Sequence, residues 1–139
     1  MRSRSTALVI LSVFAQSIPA VAHHSQAMYD SSRELSVVGI VTEFQWTNPH
    51  TWLHVTVRDE TGTERVWTFE SNSTGQLLRI GWREDAIKAG DEVTIIYRPL
   101  RDGTRGGSIR VVHLPDGGVL RHVGIGGYDP VTGVLNTAP

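Results

Sequence analysis

His50-Thr51-Trp52-Leu53-His54-Val55-Thr56-Val57-Arg58 is the stretch whose pattern decides the fold. Side chains alternate across an extended chain, so Thr51, Leu53, Val55 and Val57 fall on one face and His50, Trp52, His54 and Thr56 on the other. An apolar face opposite a polar one marks a half-buried strand. Downstream, Asp59-Glu60-Thr61-Gly62-Thr63 reads as a hairpin loop and Glu64–Glu70 as the returning third strand. Upstream, Leu35–Trp46 is rich in β-branched residues, with Gly39 marking a bulge or tight bend. Thr47-Asn48-Pro49 ends that strand, because Pro49 lacks a backbone donor and restricts Asn48 to extended conformations.

Beyond the hairpin, Ser71–Thr74 offers N-cap residues for a short helix through Gln76, Leu77, Leu78 and Ile80, stopped at Gly81. Lys88-Ala89-Gly90-Asp91 turns into a strand at Glu92–Tyr97. Arg101-Asp102-Gly103 and Gly106-Gly107 bracket a loop before Ser108–Leu114, and Val119-Leu120 adds a brief edge strand. Five strands with one helix between the third and fourth predict a small antiparallel barrel of OB-like type over residues 35–120. A β-sandwich is the alternative. Residues 121–139 run into GIGGYDPVTGVLNTAP, a glycine-rich flexible tail.

The first 22 residues read as a secretory signal. Arg2 and Arg4 form a basic start, Ala7–Ala15 an apolar run, and Ala20-Val21-Ala22 a cleavage site. The apolar run is too short to span a membrane as a helix. Cleavage after Ala22 leaves 117 of the 139 residues, with 23–34 as the mature N-terminal segment, and predicts a periplasmic or extracellular protein with no integral membrane segment. The 13 basic residues lose Arg2 and Arg4, leaving 11 against 14 acids. That mildly acidic balance disfavours nucleic acid, which wants clustered Lys and Arg. Cysteine is absent, which removes disulfides, thiolate metal sites and thiol catalysis.

Cleavage would place His23 and His24 at the amino terminus. A first-residue histidine offers its α-amine and imidazole Nδ1 to one metal, and a further imidazole completes a three-nitrogen site. Such a set suits copper, since Cu(II) outbinds other divalent first-row ions at nitrogen ligands. His24, His50, His54 and His113 are the candidate partners. His50 and His54 share a strand face but lie about 13 Å apart at ~3.3 Å per residue, so they cannot jointly hold one ion on a straight strand. His50, at a loop beside Pro49, is the better partner. The competing reading makes the two leading histidines a solvated chain start.

The four tryptophans give a second candidate site. Trp46 and Trp52 flank the Asn48-Pro49-His50 corner, and Trp67 on the paired strand is expected to neighbour Trp52 on one face, together forming a floor for a flat ligand. The competing reading has them filling the core, favoured for Trp67 and Trp82. Glu43, Glu70, Asp91 and Asp102 are isolated acids best explained as solvated surface. No nucleophile elbow, zinc-protease helix or phosphate loop occurs, so no catalytic residue is assigned.

His23-His24-Ser25, Trp46-Thr47-Asn48-Pro49-His50-Thr51-Trp52, Leu77-Leu78-Arg79-Ile80-Gly81-Trp82, Ala89-Gly90-Asp91-Glu92-Val93 and the Asp102-Gly103 loop occur in an order that resembles an exported bacterial family, domain of unknown function 6152. The resemblance spans roughly His23 to Leu120 and implies an exported single-domain β protein, without an activity. The tail after Arg121 departs from the family pattern. Three functions stay open: a module binding a metal such as copper or a small ligand, an accessory domain docking on another exported protein, and a copper redox enzyme. The last would need a substrate site as well.

Overall fold

The computed structural model describes residues 26–122. The histidines at 23 and 24, the expected signal sequence and positions 123–139 lie outside the described residues. Strands β1 (Leu35–Gln45), β2 (Trp52–Arg58) and β3 (Glu64–Glu70) form an antiparallel meander. Helix α1 (Thr74–Arg79) follows, then β4 (Glu92–Pro99), β5 (Gly106–His113) and β6 (Val119–Arg121). Strand β4 pairs antiparallel with both β1 and β5. The sheet closes because β3 also pairs with β5, through Thr68↔Gly106, Phe69↔Gly107 and Glu70↔Ser108. The result is a five-stranded barrel in the order β1-β2-β3-β5-β4, with β6 added along β5.

This is the all-β barrel that the alternation predicts, with the helix between the third and fourth strands. Strand direction departs from the expectation in one pair. The closing β3–β5 pair is parallel, so the barrel is mixed rather than antiparallel. A crossover of the length from Glu70 to Gly106, holding α1 and β4, supplies the long connection that parallel neighbours need.

Closure depends on two glycines expected in a loop. Gly106 and Gly107 open β5 and are wedged between β3 and β4. A Cβ on Gly106 would lie 1.8 Å from the Thr68 carbonyl oxygen, and one on Gly107 2.0 Å from that of Arg98. Gly106 also has φ +138°, a backbone setting that side chains disfavour. Gly39 is closely packed rather than bulged. Its Cβ would press on Val55 Cγ2 at 3.0 Å, and the register shift in β1 comes later, between Val41 and Glu43.

Strand parity sets the core. Val41, Leu53, Val55, Val57, Phe69, Val93, Ile95, Tyr97, Ile109 and Val112 point inward, and the helix and its following turn add Leu77, Trp82 and Ile87. Trp82 is fully buried, and its indole N–H donates to the Arg121 carbonyl at 3.0 Å. That bond ties the segment after α1 to β6, so Arg121 belongs to the barrel and not to a tail. Among the described residues, no helix is long and apolar enough to cross a membrane.

Candidate functional site

The loop between β1 and β2 is held at two points, with His50 between them. Asn48 Oδ1 accepts from the backbone N–H and the hydroxyl of Thr74, both at 3.1 Å, and so caps α1 from outside the helix. The N-cap residue is Ser73, within the expected Ser71–Thr74 stretch, and it makes no side-chain capping bond. At the second point, Thr51 donates to the Asn72 carbonyl from its N–H at 3.0 Å and from its hydroxyl at 3.1 Å, and the Ser71 N–H returns a bond to Thr51 at 2.9 Å. His50 is therefore carried on backbone fixed on both sides.

Its ring reaches Glu70, the last residue of β3. His50 Nδ1 lies 2.9 Å from Glu70 Oε1 and 3.2 Å from the Ser71 carbonyl oxygen. Glu70 points away from the core, between Trp52 of β2 and Ser108 of β5, and is only 7% exposed. A carboxylate so buried needs hydrogen-bonding partners. The second is Tyr29, whose hydroxyl donates to Glu70 Oε2. Burial first, then the bond to Glu70 and its charge, push the Tyr29 phenol well above its ordinary range, so it stays protonated and keeps donating.

Tyr29 comes from the N-terminal segment, which is pinned to the barrel at the β4–β5 connection. Asp30 N–H donates to Pro99 at 2.8 Å, Arg101 N–H to Met28 at 3.0 Å, and the Arg101 guanidinium Nε to the Ala27 carbonyl at 3.0 Å. Gln26, Tyr29, His50, Glu70, Ser71, Asn72 and Ser108 enclose a cavity of about 20 Å³. A water or a monatomic ion needs roughly 10–15 Å³ measured this way, so the space takes one such particle and excludes a sugar or a base. Ser71 is 3% exposed, and its hydroxyl has no hydrogen-bond partner, a polar atom waiting on the wall of that cavity.

Asn72 connects this site to the end of the barrel. Its Nδ2 donates to His122 Nε2 at 2.6 Å, while His122 Nδ1 donates to the Ile109 carbonyl at 2.8 Å. Burial is the main cause that lowers the His122 pKa, with Arg110 and Arg98 acting in the same direction, which favours the neutral ring these two bonds require.

The other sequence candidates fall elsewhere. Trp52 and Trp67 do not share a face: Trp52 pairs with Glu70 on the outside, whereas Trp67 pairs with Val55 and packs against the core. The two positions differ in parity once the hairpin register is fixed, so the expected aromatic floor is absent. Trp46 also packs against the core, with its ring centroid 5.7 Å from that of Phe44. His54 lies outward with Nδ1 3.0 Å from the Thr68 hydroxyl, and its buried Nε2 has no hydrogen-bond partner. His113 is exposed on β5, opposite Thr94 of β4, and β5 is no neighbour of β2. Among the described residues, no three His, Asp or Glu side chains converge as a metal set.

Sequence reasoning missed Tyr29, Ser71 and Ser108, and it took Glu70 for solvated surface. The Glu70 carboxyl is instead buried, because the parallel β3–β5 pairing and Tyr29 cover it. Its outward parity on β3 was readable, but the neighbours that bury it were not.

A family model for proteins of unknown function, DUF6152, matches residues 10–110. The chain belongs to the DUF6152 family. The match takes in all of β1 to β4, α1 and most of β5, and thus every described residue around the His50 cavity. A search of curated proteins returns no match.

Proposed function

We propose that this DUF6152 protein is exported and that its barrel holds a single metal ion, copper being the best fit, between His50 and the processed amino terminus. The observation that carries this reading is the cavity of about 20 Å³, which has the size for an ion, an imidazole and a carboxylate on its wall, and an unsatisfied buried hydroxyl at Ser71. Gln26 lines the same cavity. His23 precedes it by three residues, a length that spans at most about 11 Å. Cleavage after Ala22 would therefore bring an α-amine and up to two imidazoles, of His23 and His24, within reach of His50. An α-amine loses its proton near neutral pH far more readily than a lysine, so a metal displaces that proton at little cost.

The test uses the full gene with its own leader, the processed product being isolated and its first residue read by mass spectrometry. Cu(II) is titrated against a competing chelator. Sub-micromolar one-to-one binding with a nitrogen-rich electron paramagnetic resonance spectrum is expected, lost when one residue is inserted before His23. Weak, non-stoichiometric uptake by a correctly processed chain would remove the metal reading.

A second reading, an accessory domain docking on another exported protein, draws on a different face. Val38, Ile40 and Val66 are 53%, 42% and 63% exposed on the outside of β1 and β3. Val38 and Ile40 border an open depression of about 510 Å³ that Arg58, Glu64 and Glu92 rim. Isolated exposed aliphatics are ordinary, but three on the outside of a small barrel offer a contact surface.

A further inference from the structure

We propose that residues 26–30 are a hinged strap that opens as a unit ahead of the barrel, uncovering the Glu70 carboxylate and removing one wall of the small cavity beside it. The inference goes beyond the metal reading and stands without it.

The strap lies outside the closed sheet. The five strands close through β3 and β5 without it. Tyr29 is 6% exposed, yet it packs outside the apolar core that the strands and the helix form. The bonds that hold the strap converge on two places. At the β4–β5 connection, Asp30 N–H donates to the Pro99 carbonyl at 2.8 Å and Arg101 N–H to the Met28 carbonyl at 3.0 Å. Tyr29 forms an isolated β-bridge with Leu100 there, and Arg101 Nε donates to the Ala27 carbonyl at 3.0 Å. At the end of β3, the Tyr29 hydroxyl donates to Glu70 Oε2. All of these can break with no strand pair of the barrel lost.

A hinge follows directly. Asp30 Oδ1 accepts from the Ser32 N–H at 3.1 Å and from its hydroxyl at 2.6 Å, and the Asp30 carbonyl accepts from the Arg33 N–H at 3.2 Å. Beyond that turn, Glu34 Oε1 is tied to the sheet by Arg110 at 3.3 Å and Arg98 at 3.6 Å. The turn and its anchor confine the motion to the residues before them.

The closed strap carries a cost that the strands do not. Seating Tyr29 leaves the Glu70 carboxylate only 7% exposed, and taking an acid out of water is unfavourable even where it is hydrogen-bonded. Opening returns water to Glu70 and so offsets part of what the strap's own bonds contribute. The apolar burial of the strands has no such offset. Segments held by a few surface hydrogen bonds open at lower free energy than the core around them. Gln26 and Tyr29 line the cavity of about 20 Å³ from the strap side, and Glu70, Ser71, Asn72 and Ser108 from the barrel side. A particle held between these walls touches both, so its binding and strap closure favour each other.

Hydrogen exchange followed by NMR tests this on the processed full chain with no metal added. The Arg101 N–H belongs to the barrel but bonds to the strap, so its exchange reports strap departure. Asp30 and Arg101 amides should share one protection, roughly 100-fold or more below that of β2 and β4, the strands paired on both sides. Tyr29→Phe removes the hydroxyl and keeps the ring. It should lower protection at both amides by about 10–100-fold, because a bond to a charged group is lost, and leave β2 and β4 unchanged. Carboxyl footprinting with a carbodiimide and glycine ethyl ester reads the uncovering: Glu70 modification should accelerate in step with Arg101 exchange. Equal protection of Asp30, Arg101 and the core strands in the wild type overturns the inference, since the strap then opens only with the barrel. So does a Tyr29→Phe variant that loses protection throughout, or a Glu70 modification rate that ignores Arg101 exchange. The copper reading is decided by its own titration and survives any of these failures.

Discussion

Replacing Gly107 with alanine should open the seam that closes the barrel. The added Cβ would lie 2.0 Å from the Arg98 carbonyl oxygen, 2.8 Å from Tyr97 Cδ2 and 2.9 Å from the Arg98 carbonyl carbon. These are two backbone atoms and a core ring, and none can swing away. Carbon–oxygen contacts between neighbouring strands settle near 3.3 Å, so β4 and β5 must part locally by roughly 1.3 Å. A ladder hydrogen bond of about 2.9 Å is lost at that separation. The pairs at risk are Pro99↔Gly107 and Arg98↔Ser108 on one side, and Phe69↔Gly107 on the other. Two lost bonds at about 1 kcal/mol each, added to an overpacking cost of roughly 1–3 kcal/mol, give a destabilisation of about 3–5 kcal/mol. Domains of this size have about 5–15 kcal/mol in total, so the variant should fold but melt early. Urea unfolding followed by tryptophan fluorescence measures the difference. Gly103→Ala is the control: its φ is +79° with nothing within 4 Å, so it carries only the left-handed backbone cost of about 1–2 kcal/mol. If Gly107→Ala proves no more damaging than Gly103→Ala, close approach is not what selects glycine at the seam, and the reasoning fails.

Three other outcomes follow from the same geometry. Asn48→Ala removes the oxygen that caps α1 through Thr74 and should cost about 1 kcal/mol in a thermal or urea melt; on the metal reading proposed above it should also weaken Cu(II) uptake, because His50 sits two residues on. Trp82→Ala empties a fully buried site and removes the indole hydrogen bond to the Arg121 carbonyl, so a loss of about 3–5 kcal/mol is expected by urea unfolding. The folded-state pKa of His122 lies below its ordinary value of 6.5, so the unfolded chain binds the extra proton first. Its contribution to stability is therefore complete above about pH 6.5 and declines as pH falls below that value, which urea melts at pH 8 and pH 5 should detect and a His122→Asn variant should flatten.

What the sequence makes legible is whatever depends on neighbours in the chain. Leu53, Val55 and Val57 declare their face because their neighbours are polar, and the helix after β3 is written in the residues following Ser71. The direction of the closing pair is not local in this way. Gly106 and Gly107 look like loop residues, and only the backbones of Thr68 and Arg98, on either side, require glycine there. The site was half legible for the same reason. His50 beside Pro49 stands out as a histidine at a strand entrance, and that expectation needs no long-range contact. Glu70 does not stand out: as the last outward residue of a strand it has every local mark of a solvated acid. Its burial comes from Ser108, 38 positions later, and from Tyr29, 41 positions earlier. An acidic group is buried in a small barrel when closure takes its water away, and closure is a property of the whole sheet. The residue most worth mutating in this protein is therefore one that strand-by-strand reading assigns to the surface.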